Sequence, residues 1–242
     1  MKKRVFYSEI AYLFGILFVA VGVAFMETAD FGVSMVVAPA YVLYRWLNPV
    51  LSFFSFGMAE YSLQALLLLV MALLLRRFRV SYLLSFATAV LYGFVLDGCM
   101  LLAAYLPASS LILRGLWYVL GILFCSAGVS MMFHTYLSPE VYELFVKEVS
   151  SRFHVEIHRF KTGYDIASCL TGVLFSFLCF GFGTFIGVKW GTILCAVVNG
   201  RIIGAFSHLY EKNFAFCDLL PWRPLFTGEA SVSDPRGAVD RI

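Results

Sequence analysis

The stretch Tyr12-Leu-Phe-Gly15-Ile-Leu-Phe-Val-Ala-Val-Gly22-Val-Ala-Phe-Met26 decides the fold, because the chain contains a second copy of it. Starting 106 positions later, the second copy is Tyr118-Val-Leu-Gly121-Ile-Leu-Phe-Cys-Ser-Ala-Gly128-Val-Ser-Met-Met132. The tyrosine, both glycines, the Ile-Leu-Phe run and the final methionine fall in register. Each copy lies in an apolar segment long enough to cross a bilayer as a helix. We therefore predict a membrane protein built from two related halves.

The composition excludes a soluble globular protein, since 61% of the 242 residues are hydrophobic and only 14% are charged. The start, Met1-Lys-Lys-Arg4, resembles a signal peptide, but no small-residue cleavage site follows it. We interpret it as the beginning of a retained first helix. The six cysteines show no C-x-x-C spacing, so we interpret them as packing residues and predict no metal site. No nucleotide-binding or hydrolase motif is present, and we expect no cofactor, no nucleic-acid partner and no enzymatic activity.

Both halves follow the same order of long, short, long and long segments. The predicted segments are 8–29, 34–47, 53–75 and 80–105 in the first half, and 117–134, 139–153, 162–185 and 189–210 in the second. Segment 34–47 extends only about 20 Å as a helix, so it is re-entrant or crosses with difficulty. Segment 139–153 is amphipathic and charged, and we expect it to lie flat at the membrane interface.

Three spans per half place the two halves in opposite orientations. All four basic regions then face the cytoplasm, in agreement with the positive-inside rule; they are Lys2–Arg4, Arg76–Arg79, 147–161 and the C-terminal tail. The predicted fold is an all-α polytopic membrane bundle of two inverted repeats, each with three spans and one short re-entrant or interfacial helix. The repeats cover residues 1–106 and 107–212. Residues 213–242 form a cytoplasmic tail, partly disordered, with Trp222 at the membrane interface.

Acidic side chains inside spans are costly, and each needs a partner or a function. Glu60 has an acidic counterpart 105 positions later, Asp165, in the matching segment of the second half. Such a pair is what a site on a pseudo-two-fold axis between repeats requires. The alternative is that one or both lie near the interface and are hydrated. Gln64, one helical turn after Glu60, adds a neutral hydrogen-bonding group.

A second polar pair lies in the last spans of the two halves. Gly93 matches Gly200 at an offset of 107, which places Asp97 and Arg201 in corresponding helices. They form either a structural ion pair or part of a substrate site. Asn199 adds further hydrogen-bonding capacity.

Ser34 and Ser138 are the predicted N-caps of the two short helices. A helix N-terminus can hold an anion, which makes both serines candidate ligand contacts. For the second short helix we favour the interfacial interpretation, without a ligand.

Several motifs resemble the YczE/YyaS/YitT group of bacterial integral membrane proteins over most of residues 10–210. They are Phe31-Gly32-Val33-Ser34, Ser55-Phe56-Gly57, Gly93-x-x-x-Asp97, the Arg159–Asp165 region and Gly181-Phe-Gly183-Thr184. The resemblance implies an aspartate near the start of each short helix. Val37 replaces it in the first half, and Glu140 or Glu143 is its counterpart in the second. These departures indicate a divergent branch of the group. The resemblance itself implies a location in the bacterial inner membrane.

The sequence therefore predicts a transporter or channel for a small polar or charged solute, with a mid-membrane site between the repeats. Its expected partners are the lipid bilayer, the solute or ion, and further copies of the chain in a homo-oligomer. The alternative is a non-transporting module, either a substrate-binding subunit or a regulatory partner, that docks through helix 139–153.

Overall fold

The computed structural model describes residues 4–76, 80–220 and 223. In this part, the chain forms β1 (Arg4–Tyr7), α1 (Ser8–Ala29), α2 (Ala38–Leu47), α3 (Phe56–Leu75), α4 (Val80–Ala103), α5 (Leu111–Phe133), α6 (Val141–Arg152), α7 (Ile157–Phe180), α8 (Trp190–Asn213) and β2 (Phe214–Cys217). The predictions for Trp222, for the basic residues at 2, 3, 77 and 79, and for the tail beyond 223 fall outside the described residues.

Six helices in the described residues are long and apolar enough to cross a membrane: α1, α3, α4, α5, α7 and α8. The other two are too short, because the ten residues of α2 and the twelve of α6 extend about 15 and 18 Å. The hydrocarbon core is about 30 Å thick. The chain is therefore an all-helical, multi-pass membrane protein.

The repeated stretches pair with each other at the centre of the bundle. A Cβ added to Gly15 would lie 3.0 Å from the Gly128 carbonyl oxygen, and one added to Gly22 would lie 2.7 Å from that of Gly121. Only glycine allows two helix backbones to approach this closely. Because the earlier glycine of each helix faces the later glycine of the other, α1 and α5 run antiparallel.

The remaining helices surround this pair in a related way. Helix α4 packs against α1, and α8 packs against α5. Each short helix contacts both α3 and α7. Strand β1 pairs in parallel with β2, which brings the start of α1 and the end of α8 to the same end of the bundle.

Helix α6 begins inside the bundle. The Val141 backbone N–H donates to Gln64 Oε1 over 3.1 Å, and Gln64 lies about 12 Å into α3. The apolar face of α6 is buried, including Val141, Tyr142 and Leu144. The apolar face of α6 therefore packs on α3, which the expectation of a helix lying flat at the interface did not include. Whether α6 enters the membrane or lies at its interface stays a prediction.

Helix α2 begins at a similar depth against α7. Ser168 Oγ donates to the Val36 carbonyl oxygen over 3.4 Å, and Ser168 lies about 16 Å into α7. A Cβ added to Gly172 would lie 3.2 Å from the Ala38 Cβ. Segment 34–47 thus packs inside the bundle as a helix too short to span, and its re-entrant form stays a prediction.

The two halves differ at their last pair of spans. A Cβ added to Gly57 would collide with the Gly93 carbonyl oxygen, so α3 and α4 pack closely. The matching glycines of α7 and α8, Gly163 and Gly200, have no heavy atom within 4 Å of such a Cβ. Helices α7 and α8 lack comparable packing and leave most of their surface exposed.

Candidate functional site

A carboxylate is fully enclosed where α3 meets the start of α6. The side chain of Glu60 is 0% exposed. Its Oε2 accepts a hydrogen bond of 2.9 Å from the Tyr142 hydroxyl. Its Oε1 is buried and has no hydrogen-bond partner among the described residues. An enclosed acceptor of this kind is costly unless a proton, water or ion satisfies it.

A second carboxylate reaches the same place from the other element. Glu140 is the N-cap residue of α6, and its Oε2 accepts a hydrogen bond of 3.2 Å from Gln64 Nε2. Gln64 is 0% exposed, and both polar atoms of its amide bond the start of α6. Its Nε2 donates to Glu140, and its Oε1 accepts from the Val141 backbone N–H. Glu140 is intermediate in exposure as a whole residue, in contrast to Glu60, although its carboxyl group is buried.

The surroundings favour the neutral form of Glu140. Burial of its carboxyl raises its pKa, and the nearby Glu143 carboxylate raises it further, whereas the hydrogen bond from Gln64 lowers it. The resulting pKa is about 7. Close to physiological pH, the group therefore exchanges a proton readily.

Hydroxyl groups line the rest of this region. Tyr12 and Thr88 share a hydrogen bond of 2.5 Å, and Thr88 Oγ1 donates to the Ser138 carbonyl oxygen over 3.1 Å. The Tyr92 hydroxyl is buried without a hydrogen-bond partner in the described part of the chain. It interacts electrostatically with both Glu60 and Glu140. The two carboxylates thus lie in a buried region whose polar groups are mainly neutral hydroxyls and the Gln64 amide.

Asp165 is not joined to Glu60 as the sequence suggests. No hydrogen bond connects them within the described residues. Asp165 Oδ1 is buried without a hydrogen-bond partner there, and Tyr164 interacts electrostatically with both carboxylates. The acid that binds beside Glu60 is Glu140, because α6 enters between α3 and α7.

Asp97 and Arg201 do not form the ion pair that the sequence allows. Asp97 Oδ1 accepts from the Gly57 backbone N–H over 2.7 Å, and its Oδ2 accepts from the Ser55 hydroxyl over 2.5 Å. The Asp97 carboxylate therefore satisfies hydrogen-bond donors at the start of α3. The partial positive charge of a helix N-terminus stabilises a carboxylate at this position. Arg201 is exposed on α8 and has no ion pair with any acid in the part of the chain described.

The other predicted site residues have structural positions. Asn199 Oδ1 accepts from the Ser126 hydroxyl over 2.6 Å and so connects α8 to α5. Neither serine caps its short helix, because α2 begins after Val37 and α6 after Glu140. The chain enters each helix through a turn that the local sequence does not reveal. The anion-binding prediction for Ser34 and Ser138 therefore loses its geometric basis.

The model of a family described as a family of unknown function, DUF6198, matches residues 6–208. The chain belongs to DUF6198. None of the curated proteins and none of the solved structures matches it. The matched range contains both carboxylates and all but the last residues of α8.

In this DUF6198 chain, the candidate site contains residues that the sequence indicates and residues that it does not. Glu60 and Gln64 were identified, whereas Tyr142 was missed and Glu140 was noted only as a counterpart of a family aspartate. The available signal was an acid followed by the apolar residues Val141 and Leu144 at the start of a short helix. Among the described residues, no group of three or more His, Cys, Asp or Glu side chains could hold a metal ion.

Proposed function

We propose that the protein is a membrane transporter or channel for a small polar or charged solute, with its site at Glu60, Gln64 and Glu140. One observation carries the proposal: a short helix begins inside the bundle beside a fully enclosed carboxylate. Interrupted helices and buried acids are costly in a membrane, and transporters use them to hold ions near the midplane.

We further propose that the two halves are inverted repeats. The contacts between α1 and α5 support this, because they are preserved when the halves are exchanged. Gly15 faces Met132 as Gly121 faces Met26. Both pairs are separated by the 106-residue offset found in the sequence. Antiparallel packing of equivalent helices is the arrangement that an inverted repeat produces.

The difference between the halves supports alternation between two states. Helices α3 and α4 are closed on each other at Gly57 and Gly93, whereas α7 and α8 are apart at Gly163 and Gly200. If the halves exchange these conformations, the site opens in turn to the two sides of the membrane.

The finer location also remains a proposal. Both termini are placed in the cytoplasm of a bacterium, at the inner membrane, on the basis of the basic loops and the resemblance to the YczE/YyaS/YitT group. The pairing of β1 with β2 supports a common side for the two ends. The exposed faces of α7 and α8 offer a surface for a homo-oligomer. We assign no enzymatic activity.

A non-transporting module is the weaker proposal. It requires helix 139–153 as a docking surface, but the apolar residues of α6 are buried against α3, α4 and α7. Only its polar side remains for a partner.

The test is ion-dependent solute uptake or electrical current in proteoliposomes. Glu60→Gln and Glu140→Gln should each reduce transport at least about tenfold, since each removes an ionisable group from the site. Glu156→Gln, at an exposed carboxylate paired with Arg159 on the surface, is the matched control and should transport like the parent. Equal transport by all four proteins contradicts the assigned site.

A further inference from the structure

We propose that Glu60 and Glu140 hold one proton between them and that a hard monovalent cation, such as Na⁺ or K⁺, binds there by displacing it. The inference rests on the proposed transport function and names the class of ion that is moved or that drives transport. It assigns Glu140 as the outer contact of the cation and Glu60 as the inner one.

The charges of the site require a proton when no cation is present. Both carboxylates lie at the start of the same short helix: Glu140 is its N-cap residue, and Glu60 accepts a hydrogen bond from Tyr142, two residues further on. In a buried region two neighbouring negative charges repel strongly, so one group stays protonated. The start of α6 stabilises the single charge that remains, because a helix N-terminus carries partial positive charge.

An unsatisfied oxygen inside the site points to a ligand. Glu60 Oε1 is enclosed and has no hydrogen-bond partner among the described residues, while Glu60 Oε2 is already held by Tyr142. The Tyr92 hydroxyl is likewise buried and unsatisfied there. A cation bound to Glu60 Oε1 satisfies an acceptor that the protein leaves open.

Among the described residues, no hydrogen bond or ion pair joins a basic side chain to either carboxylate. Lys161, on the neighbouring helix α7, pairs instead with Glu143 at 2.8 Å. The titratable groups of the described chain that face the two carboxylates are Tyr12 from α1, Tyr92 from α4, Cys125 from α5, Tyr142 and Glu143 from α6, and Tyr164 from α7. The phenols and the thiol stay neutral at physiological pH, so none of these groups supplies a positive charge in place of the cation.

The ligand atoms determine the class of ion. Carboxylate and hydroxyl oxygens are hard ligands and favour alkali or alkaline-earth ions over softer metals. Displacement of one proton by one monovalent cation leaves the net charge of the pair unchanged at one negative charge. A divalent ion would displace the same proton but would bring the net charge of the pair from one negative charge to zero, so a comparison of NaCl with CaCl₂ distinguishes the two classes of ion. The reaction is therefore an exchange in which one cation enters and one proton leaves to solvent.

The difference in exposure between the two acids gives the exchange a direction. Glu140 is intermediate in exposure as a residue, whereas Glu60 is fully buried, so Glu140 lies nearer to solvent. A hydrated ion therefore meets Glu140 first and reaches Glu60 only after it has lost water. In the same way, a proton from Glu60 leaves through Glu140.

The experiment measures protons released by the purified full-length protein in detergent, in weakly buffered solution at pH 7 with a pH-indicator dye. NaCl and KCl should release up to one proton per chain with saturation, whereas choline chloride at the same ionic strength should release none. The apparent affinity for the cation should fall about tenfold per pH unit below pH 6, because protons compete for the same oxygens. Glu60→Gln and Glu140→Gln should release none, and the surface control Glu156→Gln should release as much as the parent.

Each other outcome overturns the inference. Equal release with choline identifies a general salt effect, release with CaCl₂ alone identifies a divalent site, and release by both glutamine variants places the proton elsewhere.

Tyr142→Phe keeps both carboxyls and tests folding independently; it should retain proton release but bind the cation about fivefold more weakly. Release without transport in proteoliposomes contradicts the proposed function alone, and transport without release contradicts the cation site alone.

Discussion

At the scale of single residues, Asp97 shows that an acid within a membrane span can be structural. Its carboxylate receives a backbone N–H and a hydroxyl at the first turn of α3. Asp97→Ala should lower the free energy of unfolding by about 1.5–3 kcal/mol, since it removes hydrogen bonds to a charged group. Arg201→Gln should change it by less than about 0.5 kcal/mol, because Arg201 is exposed and unpaired in the described chain. Denaturant titration in detergent measures both.

The double variant separates this role from the ion pair considered in the sequence. If Asp97 and Arg201 act independently, their effects should add. A coupling energy above about 1 kcal/mol would show that the two side chains interact after all.

Glu140 gives the stability of the protein a pH dependence of known sign. Its pKa is raised from 4.5 to about 7 in the folded protein, so the folded state holds the proton more tightly than the unfolded state. The resulting stabilisation is complete below pH 4.5 and is lost as the pH rises through 7. The thermal midpoint of the parent should therefore fall relative to that of Glu140→Gln between pH 5 and pH 8. A parallel pH profile for the two proteins contradicts this.

The site was only partly predictable from residue types. Glu60 and Gln64 stand out because polar groups are rare inside apolar segments. Glu140 lies in a polar surrounding of the sequence, next to Ser138 and Glu143, where an acid is unremarkable. Its burial results from the entry of α6 between other helices, a tertiary event that local sequence does not encode.

At the scale of helices, the α1–α5 contact depends on its glycines. A Cβ at Gly22 would lie 2.6 Å from the Cys125 backbone nitrogen. Gly22→Ala should therefore destabilise the protein by about 1–3 kcal/mol through overpacking. Gly115→Ala, in α5 where a Cβ meets nothing within 4 Å, should be neutral or stabilising by up to about 1 kcal/mol. Opposite shifts of the thermal midpoint are expected, and shifts of the same sign contradict the close helix contact.

Helix positions along the chain were largely predictable, whereas depth in the membrane was not. The first helix was predicted at 8–29 and is observed at Ser8–Ala29. The second long span of the second half was expected from 162 but begins at Ile157, three residues after His154, whose positive φ of 54° lies in the turn that follows α6. An amphipathic pattern is the same for a helix on the membrane surface and for one inserted against α3. Only the packing partner distinguishes them.

At the scale of the whole molecule, the proposed alternation makes α7 and α8 the moving counterparts of α3 and α4. Their glycines match in position, but only Gly57 and Gly93 are in contact. If α7 and α8 close in the same way, Gly163 and Gly200 must approach each other in the second state. Bulk at either position should therefore be harmless to the state described here and should block the other.

Gly163→Leu and Gly200→Leu test this requirement. In the present state a side chain at either position meets open space, and leucine favours helix over glycine by up to about 1 kcal/mol. Both variants should keep the thermal midpoint and the cation-induced proton release of the parent, while transport falls at least about tenfold. Gly115→Leu, whose position is equally open, should retain transport. Light scattering on the purified variants separates blocked closure from a disrupted homo-oligomer, because only the second changes the mass of the particle. Transport at the parental rate with leucine at both positions would mean that α7 and α8 do not close at these glycines.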